Sequence, residues 1–105
     1  MERSKVIENI KQVAMKALPP HSSLILYGSR ARGDYNADSD WDLLILLDKP
    51  ELSDKDYDDV SFPFVMLGWN IGELISPQMY TKKEWDSISF LPFYKNVEHD
   101  KIVLV

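Results

Sequence analysis

Two unbroken apolar runs, Leu24-Ile25-Leu26-Tyr27 and Leu43-Leu44-Ile45-Leu46-Leu47, constrain this chain more than any other feature. Both are short, and turn formers bound them: Pro19-Pro20 before the first, Gly28-Ser29 after it, Asp48-Lys49-Pro50 after the second. They therefore read as buried strands over Ser22–Tyr27 and Asp42–Leu47. Such strands need cover on their faces. From Ser4 to Leu18, Val6, Ile10, Val13 and Ala17, with Ile7, Ala14 and Leu18 beside them, follow the three-four spacing of one helical face, and Pro19-Pro20 stops that helix.

The remaining segments complete the same picture. Ser53 to Asn70 is predicted helical, with Tyr57, Val60, Phe64 and Leu67 on one face and Ser53 as N-cap before an acidic first turn. Pro63 must kink that helix or begin a second piece near Ser61. Gly72 to Tyr80 reads as a third strand whose Pro77 suits an edge or a bulge. Thr81 is placed to cap a short helix over Lys82–Ile88, and Lys101–Val105 is strand-like or a tail that docks on a partner. No repeat, low-complexity tract or linker interrupts the sequence, so residues 1–105 are expected to form one α+β (α/β) domain, a small mixed β-sheet covered by helices.

Composition narrows the functions open to such a domain. At 45% hydrophobic and 11% aromatic the chain has material for a core. A formal charge of −5 argues against direct nucleic-acid binding, which draws on Lys and Arg displacing counterions from phosphates. The absence of cysteine rules out disulfides and thiolate metal sites and fits a cytoplasmic setting. No segment approaches the roughly 18 consecutive apolar residues of a spanning helix, so no membrane role is expected.

The chemistry is concentrated in GSRARGDYNADSDWDLLILLD, Gly28 to Asp48. Gly28, at the end of a buried strand, can take a positive φ and let the backbone approach a phosphate closely. Ser29 offers a hydroxyl and an N–H to phosphate oxygens, and a short helix starting there would add its dipole. Asp40 and Asp42 flank Trp41 at a strand start, so alternation turns both carboxylates to one face with Cα atoms roughly 6–7 Å apart. Crowded acids of that kind suit a shared hard cation. Arg30 and Arg32 are possible phosphate contacts that helical spacing sends to different places, an exposed salt bridge being the expected fate of at least one.

Gly28-Ser29, ten residues, then Asp40-x-Asp42 resembles the signature of the DNA polymerase β superfamily. GSRARG and SDWDLL are closer still to its minimal nucleotidyltransferases, which often accompany HEPN-domain partners in two-gene toxin–antitoxin pairs. The flanking helices and the ending PFYKNV extend the resemblance over most of the chain. It implies a polymerase β palm-like fold and transfer of a nucleoside monophosphate, AMP from ATP, to an acceptor hydroxyl on a HEPN toxin, the chain acting as antitoxin. Asp40 and Asp42 would hold Mg²⁺, two ions being expected, while Gly28, Ser29 and Arg30 would bind the nucleotide. Relatives usually carry a third carboxylate near the start of a later strand. In GELISPQMY the only acid is Glu73, the candidate third catalytic residue beside Asp40 and Asp42.

Other residues carry weaker expectations. His21 and His99 lack a neighbouring ligand pattern and are expected in solvent; Asp54, Asp56, Asp58 and Asp59 read as a solvated helix face. Trp41, Trp69, Trp85 and FLPFYKNV are candidates for packing, the last equally for an interface. Three readings follow: a transferase acting on a protein partner, a weakened nucleotide-binding module that neutralises a partner by docking, and a small-molecule nucleotidyltransferase.

Overall fold

In a computed structural model describing residues 1–105, the two apolar runs become β1 (Ser23–Tyr27) and β2 (Trp41–Leu47), paired antiparallel at the centre of a four-stranded sheet. β3 (Ile75–Thr81) runs parallel to β2 at one edge, and the two-residue β4 (Ile102–Val103) pairs antiparallel with β1 at the other. The order is β3-β2-β1-β4, and the sheet is mixed. Pro77 therefore sits on an edge strand, where a missing N–H interrupts no ladder on the outer side.

The apolar runs are unbroken because both faces of the sheet are covered. On one face Leu24, Leu26, Trp41, Leu43, Ile45, Leu47, Ile75 and Met79 pack against Val6, Ile10 and Ala14 of helix α1 (Arg3–Ala17) and against Val60 and Phe64. On the other, Ile25, Leu44 and Leu46 meet Trp85 of α5 (Lys82–Ser87) and Val97 of α6 (Pro92–Asp100). Tyr27, Tyr80, Phe93 and Tyr94 rim that second core, and Trp85 stacks at 4.8 Å from Tyr94. FLPFYKNV thus contributes packing through helix α6, although Phe90 stays 71% exposed. α2 (Ser29–Arg32) is a single turn between β1 and β2.

Pro63 divides the long helical segment as its chemistry requires. A turn α3 (Asp54–Asp56), started by a capping box of Ser53 and Asp56, runs into a π-helical turn Tyr57–Ser61 and then α4 (Phe62–Ile71) with Pro63 in its first turn. The Phe62 N–H bonds the Tyr57 carbonyl, one residue further back than in an α-helix. That extra residue changes the phase. Val60, Phe64 and Leu67 keep the core face, but Tyr57, expected with them, is rotated out and 49% exposed. Thr81 and Glu84 form a second capping box ahead of α5.

α4 ends at Gly72, whose φ of 71° is left-handed. Within α4, Gly68 lets the helix lie on the entry to β3: a β-carbon there would be 2.5 Å from the Glu73 carbonyl oxygen and 3.3 Å from the Ile75 nitrogen. Gly68→Ala would raise helix propensity by about 1 kcal/mol on an isolated helix. Here it is expected to lower stability, by about 1–3 kcal/mol for overpacking against backbone, in chemical denaturation. A stabilised variant would refute this packing.

Asp56 has a second, electrostatic role. Lys49 Nζ donates to it at 2.7 Å and the Ser53 N–H at 2.8 Å, and these bonds, Lys49 foremost, hold its carboxyl below the ordinary carboxylate range. A depressed folded pKa stabilises the fold above the unfolded value of about 4 and is lost as pH falls through the folded one. Asp56→Asn is accordingly expected to lower the melting temperature at pH 7 and to flatten its decline below about pH 4. Parallel acid limbs in the two proteins would show that Asp56 contributes nothing there.

Candidate active site

The site grows from the way β1 ends. Gly28 leaves the strand at φ 77° and its carbonyl accepts from the N–H groups of Ala31 and Arg32, both at 3.0 Å, which winds Ser29–Arg32 into α2. Gly33, at φ 95°, closes the turn. At four residues α2 is too short to carry a macrodipole of the expected strength, so what it presents is the first-turn amides of Ser29 and Arg30. Any side chain on Gly28 is excluded, because a β-carbon would overlap the Asp42 carboxylate. The phosphate-turn candidate and the acid candidate are therefore in direct contact.

Across the sheet, Tyr27 of β1, Asp42 of β2 and Ser76 of β3 lie in register and on one face. Asp40, two residues before Asp42, shares that face, and its Oδ2 accepts a 3.0 Å hydrogen bond from the Ser76 hydroxyl. Burial, and next the Asp40 carboxylate, raise the pKa of Asp42 above the ordinary carboxylate value, against a lowering influence of Arg32. The Tyr27 phenol is pushed up to about 12 by burial, then by Asp42 and Tyr80. Phe93 meets the Tyr27 ring edge-on at 5.7 Å, so the cover of α6 reaches Tyr27 on this face.

The opposite face is organised by Arg30. Arg30 is 6% exposed, and its guanidinium donates through Nε and one Nη to the Ser39 carbonyl at 3.2 and 3.1 Å and reaches the Ala37 carbonyl at 3.4 Å. It lies 4.5 Å from the Tyr35 ring centre and 4.7 Å from that of Trp41. Glu73 answers its charge at 3.8 Å and accepts from Trp41 Nε1 at 3.3 Å. Arg3 of α1 binds the Arg30 carbonyl at 3.2 and 3.1 Å.

Two expectations are corrected by this geometry. The Arg30 side chain is committed to loop carbonyls and Glu73 in the interior, so it braces the segment leading to Asp40 and is not free to bind a phosphate. Glu73 does not join Asp40 and Asp42. β3 begins only at Ile75, beside Trp41, and alternation puts odd-numbered Glu73 and Ile75 toward Trp41 while Ser76 looks at the acids. The strand position nearest the two carboxylates is thus a serine, a residue the sequence could flag only once the parallel register was known. No third His, Cys, Asp or Glu joins Asp40 and Asp42 in a metal-holding group. Arg32 takes the exposed salt bridges foreseen, to Asp34 at 3.1 Å and Asp100 at 2.7 Å. His21 and His99 are exposed.

The donor set suits a hard divalent cation: two carboxylates on one face, the inner one half-buried and crowded by the other. No cavity accompanies them. The protein's cavity, about 380 Å³ and lined by Val13, Ala17, Pro63, Met66 and Leu67 among others, lies between α1 and α4 on the far side of the sheet.

The family model described as a nucleotidyltransferase domain matches residues 7–103, and the chain belongs to that family. A solved structure described as a crystal structure of a toxin-antitoxin with AMP-PNP is similar in fold, with a TM-score of 0.67 at 16% identity over 94% of this chain and 72% of that one. No curated protein matches. The nucleotidyltransferase-domain assignment fits a polymerase β-like fold. No helix is long and apolar enough to cross a membrane.

The Arg30–Glu73 pair yields a test that separates bracing from catalysis. Glu73→Gln leaves a buried guanidinium without its counter-charge and is expected to cost about 1–3 kcal/mol of stability. Affinity for Mg²⁺-ATP, measured by calorimetry well below the melting temperature, should be unchanged. A stable variant that has lost nucleotide affinity would return Glu73 to the site.

Proposed function

We propose that this nucleotidyltransferase domain binds ATP with Mg²⁺ at Gly28, Ser29, Asp40 and Asp42, and transfers AMP to a hydroxyl of a HEPN-type toxin in the cytoplasm, acting as its antitoxin. The observation that carries the reading is the contact of the Gly28 turn with the Asp42 carboxylate, in a family member whose Asp40 shares that face. It brings amides suited to phosphate and acids suited to a cation to one place. The Ser29 hydroxyl and the amides of α2 would hold phosphate oxygens, and Asp40 and Asp42 would hold the cation. When bound, Mg²⁺ offsets charge on the phosphates and on the leaving pyrophosphate.

In the reaction the acceptor oxygen bonds the α-phosphorus, the bond from that phosphorus to the bridging oxygen breaks, and pyrophosphate leaves with the electron pair. The acceptor proton passes to solvent or to a group of the acceptor. The neighbour with AMP-PNP, described as a toxin-antitoxin, supports the nucleotide and the partner class. Phe62, Met66 and Trp69 add an exposed apolar row along α4, Trp69 being 69% exposed, of the kind that marks protein contacts.

A second reading, a docking module that retains nucleotide but transfers little, is favoured by one observation: Ser76 and not an acid adjoins Asp40. The two readings share a first test. ATP with Mg²⁺ is expected to raise the melting temperature, stabilising by about 2.7 kcal/mol at a hundredfold excess over Kd. Asp40→Asn with Asp42→Asn should abolish the Mg²⁺-dependent part and leave the free protein as stable or more so. Persistence of the full shift would refute the site. With a HEPN-type partner and saturating ATP, a gain in partner mass of whole AMP groups supports transfer, and a stable complex of unchanged mass supports docking.

A further inference from the structure

Ser76 is the polar side chain on the acid face that touches a carboxylate and that the proposal above leaves without work. It stands in register with Asp42 on the neighbouring parallel strand, and its hydroxyl bonds Asp40 Oδ2 at 3.0 Å. We infer that, granted the nucleotide-binding reading, the site takes a single divalent cation, carried in on the triphosphate, and that Ser76 is the positioning residue that turns Asp40 toward it.

The argument is one of oxygen supply. Mg²⁺ demands a near-ideal octahedron of oxygens, and a cation bound to a triphosphate completes it with phosphate oxygens, waters and one or two carboxylates. Asp40 and Asp42 meet that need. A second cation on the acceptor side would lack the chelating pair of terminal phosphates and, even sharing Asp40 and Asp42 with the first, would need a further anionic protein ligand. The remaining neighbours on that face are hydroxyls and not anions: the Tyr27 phenol beside Asp42, and Ser76, which donates a hydrogen bond to Asp40. Glu73, the acid just ahead of β3, is bound to Trp41 and faces Arg30 on the opposite side of the sheet. Asp40 and Asp42 belong to no group of three His, Cys, Asp or Glu that could hold a metal.

Ser76 meanwhile does for Asp40 what outer hydrogen bonds do for metal ligands generally. By occupying Oδ2 it fixes the carboxylate plane and leaves Oδ1 to face the cation. The bond ties the residue just ahead of β2 to the start of β3, so the orientation of Asp40 depends on the β2–β3 register as well as on the connection that precedes it.

The test counts Mn²⁺ by the loss of its free electron paramagnetic resonance signal, with protein saturated by the non-hydrolysable analogue AMP-PNP. The natural protein is expected to bind one Mn²⁺ per complex, and Ser76→Asp, which adds an anionic oxygen pair on the acceptor side, two. Ser76→Ala should weaken Mn²⁺ in the complex by about 10–100-fold, with an unchanged metal-free melting temperature and unchanged affinity for metal-free nucleotide. Ser76→Thr, which keeps the hydroxyl, should restore it. Two Mn²⁺ on the natural protein, or undiminished Mn²⁺ affinity in Ser76→Ala, overturns the inference while the nucleotide site stands. Failure of the natural protein to bind AMP-PNP at all overturns that site and the inference with it. Should Ser76→Asp not fold, the count on the natural protein and the Ala and Thr variants still decide.

Discussion

A buried guanidinium holds the working end of this sheet together. Between β1 and β2 the chain crosses residues 28–40 with one helical turn and no regular structure after it, yet Asp40 must sit within a hydrogen bond of β3. Arg30 provides the constraint. It faces Tyr35 and Trp41, draws in the Ser39 and Ala37 carbonyls, and is neutralised by Glu73 at the end of α4. A buried ion pair adds little net stability against its desolvation, and its value here is geometric: five fixed donors define where the carbonyls just before Asp40 lie. Lysine, whose three donors share one nitrogen and lack a planar fork, would not hold that set.

Around this brace the two faces divide the labour. Odd-numbered positions at the start of β2 and β3, with Glu73 just ahead, build structure; the even-numbered Asp42 and Ser76, with Asp40, form the opposite, acid-bearing face. The same alternation explains why Gly28 is indispensable. The turn after β1 must pass directly over Asp42, and only a residue without a β-carbon and at ease with positive φ can do so.

These relations set what the sequence could disclose. β1, β2 and α1 were legible because a buried run and a helical stripe are local patterns, and so were the caps at Ser53 and Thr81, which join residues three apart. Pro63 announced a break, but not that a π turn would make it and swing Tyr57 into solvent. α6 was missed as a helix because its apolar residues Phe93, Tyr94 and Val97 are few and follow Pro92, which reads equally well as a loop. In the site, Asp40 and Asp42 share a face by strand alternation alone. Glu73, Ser76 and Arg30 were misjudged or overlooked for one reason: their roles depend on the parallel register of β3 against β2 and on a salt bridge spanning 43 residues, as the numbers 30 and 73 make plain. Neither leaves a local trace.

What the fold does not build is as instructive as what it does. α5 and α6 cover the second face only as far as Phe93 against Tyr27, and the carboxylates lie at a rim with no cavity beside them. An acyl or phosphoryl transfer centre normally gains from excluding water and from holding both reactants in line. Here the turn at Gly28 and the acids lie together at one rim of the sheet, where the proposal above seats the nucleotide. On the transfer reading, the orientation of the acceptor and the exclusion of water from the α-phosphorus would come with the acceptor molecule. Such a chain would, on that same reading, act faster on a surface that docks over the rim than on free hydroxyls, a selectivity obtained by leaving half of the site to be completed from outside.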